Sequence, residues 1–182
     1  REDCLGCHAA AGRDVALGFG AIQLADVNLP LSLDDLAAAG EMSNTISIAT
    51  ADTPGTTVQR NALGYLHANC AHCHGGSSPQ VGLNMQVITG LTGVCQTNTY
   101  LTALGATDNG TGGCNTPGTD SFWGTSEVLR VAPNSTSTSA VHLRMGVRGN
   151  SDQMPRIGTE DRDETGLLLI QDWIMGDIPQ VP

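Results

Sequence analysis

Lysine is absent from this sequence, and aromatic residues are scarce. All basic residues are arginines, 8 against 18 acidic residues, so the formal net charge is −10 at pH 7. A surface of this sign repels nucleic acid and anionic lipid, and it attracts positively charged partners. Aromatic residues make up only 3% of the chain, although their large side chains usually dominate core burial. A bound flat, apolar group would supply the missing core volume.

Long hydrophobic runs are absent as well. A membrane-spanning helix needs roughly 18 or more consecutive apolar residues, and no stretch of this sequence approaches that length. The longest apolar stretch near the end, residues 167–170, has the length of a core segment in a helix. The sequence therefore predicts a globular domain without a membrane span, in which the cysteines carry most of the functional information.

Four of the six cysteines lie in two copies of the pattern C-x-x-C-H, the attachment pattern of haem c. Two thiols three residues apart on a helical turn can bind the two vinyl groups at one edge of a porphyrin. The next residue, histidine, then lies beneath the iron as its proximal ligand. We therefore predict two haem c groups with these attachment residues and iron ligands: Cys4, Cys7 and His8 for haem 1, and Cys70, Cys73 and His74 for haem 2.

Zinc binding and thiol redox chemistry are the other common uses of a C-x-x-C pair. Zinc ribbons place their pairs much closer together in sequence than Cys7 and Cys70, and zinc does not explain a histidine after both pairs. A thioredoxin-like redox pair needs a βαβ context, which this sequence lacks. Haem attachment accounts for both motifs at once.

The two remaining cysteines, Cys95 and Cys114, enclose a stretch rich in Gly, Thr and Asn. We predict a disulfide between them, which would restrict this loop in the unfolded chain and add roughly 3 kcal/mol of stability. The alternative is two free, buried thiols. Haem c attachment and a disulfide both indicate an oxidising compartment, so we expect a secreted protein in the periplasm or outside the cell.

The segment 1–55 is expected to hold haem 1 and to depend on the rest of the chain. It contains one short predicted helix, with Ser32 as its N-cap, Asp35 at the capping-box position and Gly40 at its end. Few of its residues are large and apolar, so it is expected not to cover a haem by itself.

Residues 56–182 are predicted to form a self-sufficient helical unit. A helix capped by Thr56 or Thr57 leads directly into the second motif. Another helix is expected over residues 139–145, and a last one from a Thr159 cap to Gly176. No segment has the period of a convincing strand. The predicted fold class is therefore mainly α with extensive coil.

A helix that ends in C-x-x-C-H, a long loop, a Met-Pro pair and a terminal helix with tryptophan resemble a class I cytochrome c domain. The stretches that resemble bacterial di-haem c-type cytochromes more narrowly are Cys4 to Arg13, Ala21 to Leu24, and Tyr65 to His74. The resemblance implies a cytochrome c-like haem 2 domain at residues 56–182 with a long insertion, and an N-terminal haem-binding extension. It also implies a location in the cell envelope and a role in electron transfer.

The distal iron ligands are expected among the remaining histidines and methionines. Met154, before Pro155, lies at the position of the distal ligand in class I cytochromes, and His142 is its rival at haem 2. For haem 1 we favour His67, because H-x-x-C-x-x-C-H resembles multihaem cytochromes in which this histidine ligates the neighbouring haem. On one helix, His67 and His74 would lie about 10.5 Å apart along the axis. His72 is the alternative, and His142, a methionine or another chain also remain open.

The expected function is electron transfer to redox partner proteins, without catalysis and without nucleic acid. The alternative is a di-haem peroxidase-like enzyme, which needs one iron with an open distal position beside acid–base groups. Because the segment 1–55 can cover little of haem 1, further copies of the chain are also expected as partners. A contact between copies of the chain that does not close into a ring would extend into a filament.

Overall fold

The computed structural model of the chain describes residues 20–25, 30–44, 47–76, 82–104, 119–122, 126–158 and 160–178. These residues are mainly helical, which confirms the coarse prediction of the fold class. In chain order they form helices α1 (Leu33–Ala38), α2 (Ile48–Ala51), α3 (Thr57–Cys70) and α4 (Asn98–Ala103), strands β1 (Thr119–Phe122) and β2 (Ser126–Leu129), and helices α5 (Ala140–Gly146) and α6 (Glu164–Asp172). Short 3₁₀ helices cover Val94–Gln96 and Thr136–Thr138, and a π-helical stretch, Trp173–Asp177, continues α6. Within the described ranges, no helix has the length and apolar character that crossing a membrane requires.

Two of the predicted helix starts are confirmed by reciprocal caps. Thr56 accepts a hydrogen bond from the backbone N–H of Gln59, and the Gln59 side chain accepts one from the N–H of Thr56. Ser32 and Asp35 make the same arrangement at the start of α1. Each pair satisfies N–H groups that the first turn of a helix leaves without a partner.

The predicted start of α6 at Thr159 is wrong, since the helix begins at Glu164 and Asp163 is its N-cap; Thr159 itself lies outside the described residues. One carboxylate oxygen of Asp163 accepts the Gly166 N–H at 2.9 Å. The other accepts the hydroxyl of Tyr65, on α3, at 3.0 Å. This second bond links the cap to another helix, and it is the tertiary contact that favours Asp163.

Helices α3 and α6 pack against one another. They meet where Gly166 of α6 faces the ring of Tyr65, and a Cβ atom at residue 166 would overlap that ring. A residue with any side chain would hold the helices further apart. The glycine therefore fixes how closely the last helix can approach the helix that leads into the second C-x-x-C-H motif.

The centre of the core is a hydrogen-bonded pair of aromatic residues, Tyr100 and Trp173. Both are fully buried, the indole N–H donates to the tyrosine hydroxyl at 2.9 Å, and the ring centroids lie 5.8 Å apart. Burial raises the pKa of Tyr100 to about 12. The pair thus buries two large rings with their polar atoms satisfied. Aliphatic side chains from α3, α4 and α6 surround it, among them Leu63, Leu66, Leu104 and Ile170.

An extended segment, residues 83–87, lies between the motif and α4. Its odd-numbered residues, Leu83, Met85 and Val87, are buried in the core, and its even-numbered residues are polar and half-buried. This alternation is the period of extended backbone. The polar side chains turn outward, where they can bind neighbouring backbone groups.

Strands β1 and β2 form an antiparallel hairpin, with Thr119 opposite Leu129 and Phe122 opposite Ser126. No segment of the sequence has the period of a convincing strand, so this hairpin was not expected. Strands of four residues offer only two positions on each face, too few for an alternating pattern to stand out from its surroundings. Pairing between the two strands supplies the missing backbone partners.

The start of α3 and the end of the π-helical stretch meet. The Thr56 hydroxyl donates to the Asp177 carboxylate, and the Gln59 side-chain N–H donates to the Asp177 carbonyl at 2.7 Å. The cap of α3 is thus also the place where the end of the π-helical stretch is fastened. From the N-terminal segment, Ile22 packs against the core; the division into units 1–55 and 56–182 stays a prediction.

We predict that Gly166→Ala lowers the free energy of unfolding by about 1–3 kcal/mol, because the new methyl group overlaps Tyr65 and overpacks the contact. The matched control is Gly64→Ala in α3, where nothing lies within 4 Å of the added Cβ. This control should raise stability by about 0.5–1 kcal/mol, because alanine is the better residue inside a helix. Chemical unfolding of the two variants checks the prediction, and equal effects would contradict the close contact at Gly166.

We predict that Asp163→Ala lowers stability by about 1 kcal/mol at neutral pH, because the α6 cap is lost. The Gly166 N–H, and next the Tyr65 hydroxyl, hold the pKa of Asp163 below its ordinary value. This contribution is therefore full above the unfolded pKa of about 3.9 and disappears as the pH falls through the lower folded value. Unfolding measured across acidic pH should show the wild type and the variant converging. Asp161→Ala, an exposed carboxylate in the same loop, serves as the control, and an equal loss in both variants would refute the assignment.

Candidate haem centre

The second C-x-x-C-H motif begins at the last residue of α3 and continues as a further turn. Beyond Cys70, the N–H of Cys73 donates to the Cys70 carbonyl at 3.2 Å, and the N–H of His74 donates to the same carbonyl at 2.8 Å. The Ala71 N–H still donates to Leu66 in the helix, at 3.2 Å. The two thiols therefore belong to one helix-like turn, as attachment of a single porphyrin edge requires.

The backbone of this turn is held by the extended segment beside it. The Met85 N–H donates to the His74 carbonyl at 2.6 Å, and the Gly76 N–H donates to the side chain of Gln86 at 2.9 Å. The Asn84 side chain donates back to the Gly76 carbonyl at 3.3 Å. Asn84 and Gln86 were not among the expected site residues, although their alternation with Leu83, Met85 and Val87 is visible in the sequence.

Cys70 and Cys73 form no disulfide in the structure. Burial, and next the neighbouring Cys73, raises the pKa of Cys70 to about 12. Cysteines of redox-active C-x-x-C pairs have a lowered pKa instead. The described residues also contain no cluster of three or more His, Cys, Asp or Glu side chains placed to hold a metal ion. The raised pKa of Cys70 is therefore unlike that of a redox-active pair.

His67 lies on α3 between the motif and the N-terminal segment. Its Nδ1 accepts the Val87 N–H at 3.1 Å, and its Nε2 lies 3.7 Å from the place of a Cβ on Gly20. A neutral imidazole that accepts at one nitrogen carries its proton on the other. Binding iron through Nε2 would therefore require that the Val87 bond is given up. The assignment of His67 to haem 1 stays a prediction. Iron binding would cost about 1 kcal/mol through loss of the hydrogen bond from Val87.

The haem 1 motif cannot be placed beside His67, because its three residues lie outside the described part of the chain. The same holds for Cys114. Cys95 is disulfide-bonded, but its pairing with Cys114 stays a prediction. His72 is half-buried in the turn between Cys70 and Cys73, and it remains the alternative ligand for haem 1. The predicted site residues that lie outside the described ranges are Cys4, Cys7, His8 and Cys114.

His142, on α5, has a buried Nε2 atom without a hydrogen-bond partner in the described structure. Burial lowers the pKa of this histidine, so the imidazole is neutral. A buried polar atom that lacks a partner costs about 1–3 kcal/mol, and such atoms are rare in native proteins. The Nε2 atom of a neutral imidazole is also a donor that haem iron accepts. An iron or haem atom beside it would remove the deficit.

Met154 lies in the loop that follows α5, and the loop is fastened to that helix. Its N–H donates to the Arg144 carbonyl at 3.0 Å, and the guanidinium of Arg144 lies 3.4 Å from the Asp152 carboxylate. The structure therefore brings the two rival ligands of haem 2 into the same region, His142 within α5 and Met154 against its C-terminal half.

The donor groups of the described residues fit the cofactor that the sequence implies. Two thiols on one turn, a histidine directly after them and, on α5, a buried imidazole nitrogen without a partner are the groups that a covalently attached haem uses. Cys70, Cys73 and His74 would hold haem 2, and Met154 or His142 would complete the coordination of its iron.

Comparisons of the chain with models of known families, with curated proteins and with solved structures gave no match. The function is therefore inferred from the residues of the chain itself.

We predict that Met154→Ala abolishes the weak long-wavelength absorption band that reports a methionine–iron bond, and lowers the midpoint potential of one haem. Loss of a thioether ligand lowers the potential because thioether ligation favours the reduced iron. Absorption spectra and redox titration of the holoprotein test this, with His142→Ala as the matched control. If His142→Ala changes the spectrum and Met154→Ala does not, His142 is the ligand instead.

Proposed function

We propose that the protein is a di-haem c-type cytochrome that transfers electrons in the cell envelope or outside the cell. The observation that carries the proposal is the presence of two C-x-x-C-H motifs in one chain, the second of which begins at the end of a helix and turns as haem attachment requires. When bound, each haem supplies an iron that accepts and releases one electron.

The residues around the second motif would keep the site rigid. The backbone of the turn is bonded to residues 84–86 through Met85, Gln86 and Asn84. The Asn98 side chain in turn donates to the Gln86 carbonyl at 2.8 Å, which connects this segment to α4. Because these hydrogen bonds hold the turn, the proximal histidine that follows it would have little freedom to move when the charge of the iron changes. An electron carrier needs this rigidity, and hydrogen bonds to the residues behind a metal ligand supply it.

The distal ligand would set the potential of haem 2. Methionine raises the potential of a haem relative to a second histidine. His142 lies within α5, and Met154 lies in the loop that is bonded to this helix. Both candidate ligands therefore belong to the same part of the fold. Methionine is the expected ligand by the resemblance to class I cytochromes.

The surface charge indicates the kind of redox partner. With a formal net charge of −10 at pH 7, the chain attracts proteins that present a positive patch around their own redox centre. Such attraction mainly raises the rate of encounter, and salt weakens it.

The two extensions of this proposal rest on haem 1. Assembly of further copies over haem 1 stays a prediction, because its motif lies outside the described residues. The peroxidase-like alternative would require an iron with an open distal position, which would give a high-spin spectrum.

We predict that the intact denatured protein exceeds the polypeptide mass by two haems. Replacement of Cys70 and Cys73 by serine should remove one of them, because thioether bonds hold the haem through these sulfurs. Cys95→Ser, which changes a cysteine outside both motifs, should keep both. Mass spectrometry of the three proteins checks the proposal. A wild-type mass without haem, from cells that assemble c-type cytochromes, would refute it.

A further inference from the structure

Arg144 holds the loop that carries Met154 at two points. Its backbone carbonyl accepts the Met154 N–H at 3.0 Å. Its guanidinium approaches both the carboxylate and the backbone carbonyl of Asp152, each at 3.4 Å. One residue of α5 therefore contacts the loop two residues before the methionine and at the methionine itself.

This ion pair differs from the other pairs of the described residues in its burial. The side chains of Arg144 and Asp152 are only 15% and 13% exposed, whereas those of Arg60 and Asp52 are 42% and 56% exposed. Exposed pairs contribute little, because water and salt screen them. Loss of one partner from a buried pair is costly, because the other charge then loses its compensation. The Arg144–Asp152 pair is therefore a strong constraint on where the loop can lie.

A competing ligand lies on the same helix. The Nε2 atom of His142, two residues before Arg144, is buried without a hydrogen-bond partner in the described structure. The contacts that hold the methionine loop against α5 would therefore also influence whether Met154 or His142 binds the iron. If the loop moves away, the imidazole remains in place within the helix.

From these contacts we propose that Arg144 and Asp152 are positioning residues: they hold Met154 as the distal ligand of haem 2 in preference to His142. The inference rests on the proposed function, because it concerns the ligand of a haem that the second motif attaches. Neither residue touches the iron. Their role is to set the balance between a thioether and an imidazole ligand, and through it the potential of the haem.

The test is Asp152→Asn in the holoprotein, with Asp52→Asn as the matched control in an exposed ion pair. The expected result is a roughly tenfold fall in the ratio of methionine-ligated to histidine-ligated iron at haem 2, the factor that weakening one constraint by about 1.4 kcal/mol produces. The methionine–iron absorption band should weaken, a second low-spin bis-histidine signal should appear beside that of haem 1 in electron paramagnetic resonance, and one midpoint potential should fall. Haem 1 provides an internal reference in the same spectra.

Two further variants complete the test. Arg144→Lys keeps the charge and the backbone carbonyl but loses the planar fork, so it should give a smaller change in the same direction. It serves in place of Asp152→Asn if that variant does not fold. Adding His142→Ala to Asp152→Asn should remove the bis-histidine signal of haem 2 and restore the methionine–iron band, because the competing imidazole is gone. Spectra of Asp152→Asn and Arg144→Lys that match those of the control, in a protein whose mass includes both haems, would overturn the positioning role alone. A mass that lacks the haems would overturn the proposed function with it.

Discussion

The approach of α6 to α3 at Gly166 is the contact on which the rest of the arrangement depends. Only a hydrogen atom at this position leaves room for the ring of Tyr65, and the same tyrosine donates its hydroxyl to the cap of α6. The crossing thus fixes the two helices both in distance and in position along their axes. Because the C-terminal end of α3 leads into the second C-x-x-C-H motif, the direction in which the thiols leave the helix depends on this one contact.

Two histidines of the described residues, His67 and His142, differ in how their ring nitrogens are satisfied. His67 has a nitrogen engaged by the Val87 amide, and it joins the extended segment to the helix. His142 has a buried ring nitrogen, Nε2, with no hydrogen-bond partner in the described structure. In the first case the protein satisfies the imidazole by itself. In the second it leaves a requirement that a bound group can meet.

Local signals in the sequence predicted what depends on neighbouring residues. The caps at Ser32 and Thr56 follow from side chains that bond to the same turn. The use of the two C-x-x-C-H motifs for haem attachment stays a prediction. The cap of α6 was misplaced because Asp163 gains a bond from Tyr65, nearly a hundred residues earlier. The hairpin was missed because its strands are too short for their period to be recognised. The choice between Met154 and His142 stays a prediction, because the sequence does not show which of the two side chains would reach the iron.

The bonds from Thr56 and Gln59 to Asp177 have a topological consequence. They bring the start of α3 and the end of the π-helical stretch together, so the segment between them is closed by noncovalent bonds. Such a closure resists fraying at both ends at once, because neither end can unwind without breaking the bonds that hold the other.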